Sequence, residues 1–359
     1  MTLPNTKSNM MTGRGVSSKV NRNLLINGDF QIWQRGYTFS IDGSGAGYGY
    51  TADKWYSSDL GAGNSSTVTR ESFVMGQSDV EGSPKYYLKN VRNGISVDTR
   101  EVGTHVEDVT LFSDKVVTIS FYAKGEGNWL LTVYQNFGIG GSPSDAVEVL
   151  RDYAPLTSSW TKYSFTFRCP SILGKTIGTD GLISSSLWIR FRHSSPPGAA
   201  SYEISLAQAQ LVEGVTSPPF HSRIYSEELF LCQRYCYGLD SELDSVIRFG
   251  DLGIVADDLP SVIVYISGSF PVEMRGIPSV SYSALSDFIV YGFAVLSPFE
   301  PTAIAVHTGS GLGGRTSKQT YVLKITGAGE SGTVGAITFL RAGTTTSARL
   351  VFESELRTY

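Results

Sequence analysis

The stretch Val117-Thr118-Ile119-Ser120-Phe121-Tyr122 alternates apolar and polar side chains with a period of two. Successive side chains of an extended chain point to opposite faces. Val117, Ile119 and Phe121 are therefore expected to share a buried face, and Tyr122 to face the other way. Trp129-Leu130-Leu131-Thr132-Val133-Tyr134 repeats the pattern after the turn signal Gly125-Glu126-Gly127-Asn128. So do Tyr163-Ser164-Phe165-Thr166-Phe167, Leu187-Trp188-Ile189-Arg190-Phe191-Arg192 and Tyr202-Glu203-Ile204-Ser205-Leu206-Ala207. Short strands separated by turns predict a jelly-roll β-sandwich over residues 23–214.

Beyond it, Pro218-Pro219 marks a stiff linker. Residues 226–237 carry the best helical pattern, with Ser226 as cap and Glu227 and Glu228 complementing the dipole. Gly238 is expected to end it in the left-handed conformation. Leu229, Cys232 and Cys236 form one stripe with Phe230 nearby. A helix this short needs a partner surface, so these four residues are the expected oligomer contact. Linker and helix together span residues 215–244.

Residues 245–359 return to strands, at 261–266, 279–283, 288–295, 302–307, 321–325, 336–340 and 348–353, with glycine-rich turns at 309–314 and 327–335. They predict a second, C-terminal β-sandwich. Residues 1–22 are polar and read as an arm, either loose or docked on another subunit. The fold class is thus mainly β: arm, jelly-roll sandwich, short linking helix, second sandwich.

Composition narrows the function. A chain of 359 residues suggests about two to three domains. Only 17% of residues are charged and 39 are glycine, which favours β-structure rich in turns. The net charge is −4 with no basic block, so no nucleic-acid partner is expected. No run of 18 apolar residues predicts membrane insertion, and residues 1–20 lack the apolar core of a signal peptide. Cys169, Cys232 and Cys236 cannot build a disulfide framework and read as reduced, small apolar residues made in a cytoplasm.

His105, His193, His221 and His307 show no metal-ligand spacing, and no nucleophile elbow, Walker loop or dinucleotide fingerprint occurs. Residues 43–49 are glycine-rich, but no helix pattern follows to make a phosphate cradle. Asp53, Glu107, Asp108 and Glu126 are candidate acids that the sequence does not pair. Solvated turn acids are the expected reading. No catalytic residue and no cofactor are expected.

The aromatic pattern is more informative. If Leu187, Ile189 and Phe191 face inward, Trp188, Arg190 and Arg192 face outward, as do Tyr122 and Tyr134. Sugar rings stack on aromatic faces, and arginine bonds hydroxyls or carboxylates. Tyr122, Tyr134, Trp188, Arg190 and Arg192 are the candidate carbohydrate-binding residues. The competing reading is a packing face against a neighbouring subunit or a loop.

Three stretches resemble one group of proteins. The first is Asn23-Leu24-Leu25-Ile26-Asn27-Gly28-Asp29-Phe30-Gln31-Ile32-Trp33-Gln34-Arg35-Gly36 with Thr51-Ala52-Asp53-Lys54-Trp55. The second is Glu228-Leu229-Phe230-Leu231-Cys232-Gln233-Arg234-Tyr235, and the third Phe270-Pro271-Val272-Glu273-Met274-Arg275 with Pro278. In order and spacing they are similar to bacteriophage tail fibre proteins with a carbohydrate-binding-module-like β-sandwich. Lys54 stands where arginine is commoner, Cys236 where tyrosine is frequent, and Glu273 where a second proline is usual.

The resemblance implies a homotrimeric virion fibre or receptor-binding protein, made in the host bacterial cytoplasm. The arm would attach it to other virion proteins. Helix and distal domain would build the three-fold contact and tip, and the surface would meet a host glycan. The third stretch would be the strand opening the distal domain, with Trp33 and Trp55 in packing roles. Related modules often hold a structural calcium, for which Asn27 and Asp29 offer hard oxygen donors. A strand-end turn is the other reading of those two residues. Two alternatives to the receptor-binding function remain. One is a structural decoration or spacer protein without ligand. The other is a polysaccharide-depolymerising tailspike, which would need clustered carboxylates and usually a regular β-helix repeat not visible here.

Overall fold

The computed structural model describes residues 22–43, 47–59, 63–94, 100–179, 184–193, 201–240, 253–257, 261–292, 300–308, 315–328, 337–342 and 348–355. Apart from Arg22, the expected arm lies outside them. The sandwich strands are β1 (Thr38–Asp42), β2 (Tyr48–Tyr50), β3 (Trp55–Asp59), β4 (Ser65–Ser72), β5 (Tyr86–Asn93) and β6 (Arg100–Val106). They continue as β7 (Val116–Gly125), β8 (Asn128–Asn136), β9 (Val147–Pro155), β10 (Thr161–Arg168), β11 (Ser186–His193) and β12 (Ser201–Glu213). Among the described residues they form two six-stranded sheets, ordered β1-β4-β5-β12-β7-β10 and β2-β3-β6-β11-β8-β9. All pairings are antiparallel.

The alternation works as the sequence predicts. Val117, Ile119 and Phe121 of the first sheet and Trp129, Leu131, Val133, Leu187, Ile189 and Phe191 of the second are all buried in one core. Phe191 meets Phe121 across the sheets at 4.8 Å, ring edge to ring face. Trp33 and Trp55 belong to the same core.

The opening stretch is a clasp rather than a strand. Leu24 donates its N–H to the Leu211 carbonyl at 2.8 Å. Asn27 has a φ of 56° and closes a turn with its own side chain, accepting from Ile32 N at 2.9 Å and donating to Ile32 O at 2.7 Å. Gly28 follows because a Cβ there would lie 2.0 Å from the Ala209 carbonyl oxygen.

The helix, α1 (Tyr225–Gln233), is shorter than the sequence predicts. Its N-cap is Ile224, with no side-chain cap bond, and Glu227 and Glu228 lie in its first turn. The predicted last turn is instead the start of β13 (Cys236–Asp240), because β21 (Arg349–Glu353) takes up its backbone hydrogen bonds. Gly238 lies inside that strand, so it does not cap the helix. Glu228 and Cys232 face the chain's own interior. Of the four expected oligomer-contact residues, Cys232 and Cys236 are therefore buried within the subunit, Leu229 is half-buried, and Phe230 is exposed. All three cysteines are buried and free. Among the described residues no helix is long and apolar enough to cross a membrane.

The distal strands continue as β14 (Gly253–Asp257), β15 (Ser261–Ser269), β16 (Ser279–Tyr282), β17 (Phe288–Gly292), β18 (Pro301–Val306), β19 (Thr320–Ala328) and β20 (Ile337–Ala342). Among the described residues they form, with β13 and β21, a three-stranded sheet, β13-β21-β16, and a six-stranded sheet, β17-β20-β14-β15-β19-β18. Phe270, Leu350 and Phe352 share a core with Val264, Ile266, Leu323 and Ile325. The stretch Phe270-Pro271-Val272-Glu273-Met274-Arg275 with Pro278, expected as the opening strand, lies in the connection between β15 and β16. Pro271 and Pro278 have no N–H for a sheet ladder, and the strand that opens this part is β13.

Phe191 fills the space between the sheets, so Phe191→Ala is expected to cost about 3–5 kcal/mol through lost burial and the cavity left behind. A lowered urea midpoint with an unchanged slope is the expected reading; an unchanged midpoint would show that the site collapses without cost.

Candidate functional site

Strand β11 runs through the second sheet between β6 and β8, and its outward residues define a face. Trp188 stands opposite Tyr134 on β8 and His105 on β6. Arg190 stands opposite Thr132 and Gly103, and Arg192 opposite Leu130 and Glu101. The rows extend to Tyr56 beside Gly103 and Tyr50 beside Tyr56. On the far side they reach Glu148, Arg151 and Tyr153 of β9.

The face is organised around one ring. Tyr56 lies flat over Gly103, where a Cβ would come within 2.3 Å of its hydroxyl oxygen. That position lets the Tyr56 hydroxyl accept from Trp188 Nε1 at 2.8 Å and donate to Glu101 Oε1 at 3.0 Å. Arg190 donates Nε and Nη2 to Glu101 Oε2 at 2.9 and 2.6 Å. Its guanidinium carbon is 4.2 Å from the Trp188 ring centroid. His105 stacks on Trp188 at 5.5 Å with an interplanar angle of 11°. Burial, then Lys54, Arg275 and Arg190, push the His105 pKa well below the usual imidazole value, so its ring is neutral at neutral pH.

Tyr134 donates its hydroxyl to Glu148, and Arg151 grips the same carboxylate with two bonds of 2.7 Å. Bonds from Arg151 and Tyr134 lower the Glu148 pKa and keep it ionised. Trp188 and Tyr134 remain half-exposed, and Tyr153 is exposed. The result is a broad aromatic and polar face that can take the side of an extended ligand.

Four of the five predicted ligand residues, Tyr134, Trp188, Arg190 and Arg192, come together here. Tyr122 does not. It points away from the core as expected, but from β7 in the other sheet, where it is buried with Val80 and Ala207 beside Phe73, Tyr87 and Trp160. Tyr56, Glu101, His105, Glu148, Arg151 and Tyr153 escaped the sequence reading. The repeat Tyr48-Gly49-Tyr50 hints at the tyrosine edge, but the pairing of β3 with β6 leaves no local signal.

Asn27 is a turn residue, its amide engaged with Ile32 and with Asp53 O at 3.0 Å. Asp29 is 7% exposed and accepts from Gln31 Nε2 at 3.1 Å. Among the described residues no group of three or more His, Cys, Asp or Glu is placed to hold a metal ion.

The stretches that carry the family resemblance meet at a buried polar joint between sandwich and distal sheet. Arg35 pairs with Asp53 at 3.4 Å, with Glu355 at 3.1 Å and with Glu353. Lys54 Nζ lies 3.6 Å from both Glu355 Oε2 and the Tyr235 ring centroid. Gln34 Nε2 donates to Asp53 at 2.6 Å and to the Cys236 carbonyl at 2.5 Å. Glu107 receives Arg275 at 2.5 Å and the Tyr235 hydroxyl at 2.9 Å. These motif residues hold the two parts of the chain together.

No protein-family model matches the chain, and no curated protein matches it. Among solved structures it is similar to the N-terminal cellulose-binding domain from Cellulomonas fimi β-1,4-glucanase C, at 16% identity and a TM-score of 0.29, over 39% of this chain and 88% of that one. It is similar to the family 11 carbohydrate-binding module from Clostridium thermocellum, in complex with a mixed-linked tetrasaccharide, at 14% identity and a TM-score of 0.28, over 50% and 98%. It is also similar to the enzymatically active domain of bacteriophage CBA120 tailspike protein 4, at 15% identity and a TM-score of 0.31, over 54% of this chain and 21% of that one.

Burial raises the pKa of Asp29 from 3.8 to about 6, with the nearby Glu228 charge adding to it. A carboxyl that binds its proton more tightly when folded adds stability below pH 3.8, and that stability is lost as pH rises through about 6. Asp29→Asn is expected to remove this loss, on the order of 1–3 kcal/mol. Urea midpoints measured below and above this window should then differ less in the variant than in the parent; an equal difference would refute the assignment.

Proposed function

We propose that this chain is a non-catalytic receptor-binding component of a bacteriophage fibre. It grips a host-surface glycan on the outer face of the second sheet and works as a homotrimer on the virion. The observation that carries the glycan reading is the half-exposed Trp188, held at its N–H by Tyr56 and flanked by Tyr134, Arg190 and Arg192 on one face. An aromatic ring takes the apolar C–H patch of a sugar, and the surrounding donors and acceptors take its hydroxyls. The breadth of the face suits a polysaccharide lying along it.

Binding rather than hydrolysis is favoured by the carboxylates present. Glu101 is occupied by Arg190 and Tyr56, and Glu148 is kept ionised by Arg151 and Tyr134. A glycosidase needs one carboxyl held protonated against the leaving oxygen. The fibre reading rests on the three resembling stretches, and residues 1–22 serve in it as the attachment arm. Support for self-association comes from α1. Ile224, Tyr225 and Phe230 are exposed, and a recess of about 790 Å³ runs beside Phe230 and Leu231. Three copies multiply a weak affinity for a repeating glycan.

Trp188→Ala is expected to lower affinity for host surface polysaccharide about tenfold, while Leu173→Ala, at an exposed position on a loop, leaves it unchanged. Equal binding by the Trp188 variant and the parent would remove the face from the reading. Light scattering of the full chain is expected to give the mass of three copies, and Phe230→Asp to shift it toward one. A single-copy mass for the parent at every concentration would remove the trimer.

A further inference from the structure

A second recess lies at the joint between the sandwich and the three-stranded distal sheet. It has a volume of about 450 Å³ and takes residues from both parts, Phe39 of β1 on one side and Ser281 and Tyr282 of β16 on the other. This volume lies within the range of roughly 300–1,000 Å³ typical of small-molecule sites. Phe39 is supported from behind by Trp33, with centroids 6.1 Å apart, whereas the Tyr282 ring turns into the distal core against Phe288 at 6.4 Å. Phe39 is thus the half-buried ring at the opening, while Tyr282, paired with Leu350 on the core face of β16, borders it only with its backbone.

Beside it lies a charge pair of the distal sheet, Asp240 of β13 opposite Arg349 of β21, and one further arginine bond crosses the joint. Arg349 donates Nε and Nη2 to a single oxygen, Asp240 Oδ2, at 3.2 and 2.6 Å, and Nη1 to the Arg35 carbonyl at 2.8 Å. The Asp240 side chain is 53% exposed and that of Arg349 34%. Asp240 Oδ1 takes no hydrogen bond from the described residues, and the exposed Ser281 adds a hydroxyl. A carboxylate oxygen that accepts beside a guanidinium that donates matches two neighbouring hydroxyls of a sugar. The recess holds Arg35 and Arg349 against Asp240 and Glu353, so its formal charges cancel. That balance disfavours an acidic ligand and suits a neutral one.

We infer that this recess is a second saccharide site, taking one neutral pyranose ring against Phe39 with vicinal hydroxyls on Asp240 and Arg349. It stands apart from the Trp188 face and does not depend on it. Because its walls come from both parts of the chain, an occupant also ties sandwich to distal sheet, and a bound ligand raises the stability of the folded state.

The test uses the full chain and the methyl glycosides of glucose, galactose, mannose and N-acetylglucosamine as probes, read by saturation-transfer NMR. At least one glycoside is expected to bind the parent. Its affinity should fall about tenfold or more in Asp240→Asn and in Ser281→Trp and stay unchanged in Trp188→Ala. Asp240→Asn loosens the pair with Arg349, whereas Ser281→Trp fills the opening from an exposed strand position and leaves that pair intact. Three outcomes overturn the inference: no glycoside binds the parent, binding survives Ser281→Trp, or binding is lost only in Trp188→Ala. Polysaccharide binding by the Trp188 variant is a separate readout, so either site can fail alone.

Discussion

Phe191 packs against Phe121 at 4.8 Å and Trp129 at 5.2 Å, and lies 6.3 Å from Trp55. Those contacts join both sheets and pin strand β11 in register. Side chains alternate along a strand, so a slip of one residue would turn every one of them over. Such a slip would drive Arg190 and Arg192 into the core, where an unpaired charge is very costly. The outer face of Trp188 is thus the other side of a packing decision made inside. Its position follows from the burial of Leu187, Ile189 and Phe191, and the face has no separate framework of its own.

The joint between sandwich and distal sheet obeys a different constraint. Arg35, Asp53, Lys54 and Glu355 are almost wholly withdrawn from water. Removing charges from water is costly, and pairing them recovers the loss only with close geometry. Burial outweighs the opposing pull of Arg35 and leaves Asp53 raised to about 6, and it lowers Lys54 against the pull of Glu355. Such a cluster specifies one arrangement of its parts, because any other leaves a charge buried without a partner. On its open side the same joint becomes the recess lined by Asp240 and Arg349. The long-range pairing that fixes the distal sheet also shapes that opening.

Much of the sandwich was legible because several of its strands alternate apolar residues toward the core with mostly polar or aromatic residues on the other side. Clean alternation gave β7, β8, β10, β11 and β12 and the correct outward side for Tyr134, Trp188, Arg190 and Arg192. It did not give the sheet to which a strand belongs, and so placed Tyr122 with residues that stand on the opposite side of the molecule. Parity is a local property, whereas sheet membership depends on long-range pairings, some more than a hundred residues apart, such as β5 with β12. Strands β5 and β6 were invisible for a related reason. Tyr86–Asn93 and Arg100–Val106 carry Asn90, Arg92 and Arg100 into buried positions, which breaks the apolar signal. The helix was overextended because Cys232 and Cys236 sit four apart, a helical spacing. Pairing of β13 with β21, contributed from more than a hundred residues away, decided that segment instead.

The network around Trp188 shows what the buried tyrosine adds. Burial and the adjacent Glu101 raise the Tyr56 pKa well above the usual phenol value, so its hydroxyl keeps its proton. It can then donate to Glu101 while accepting from Trp188, and no other assignment satisfies both partners. His105 stays neutral on the other flank. Neither group titrates near neutral pH, and the indole is held in one orientation before any ligand arrives. In the proposed function, a ligand would meet a ring whose rotamer entropy is already lost in folding, which lowers the cost of binding. The Gly103 position is the condition for this arrangement, since any side chain there would displace Tyr56 and release the ring it holds.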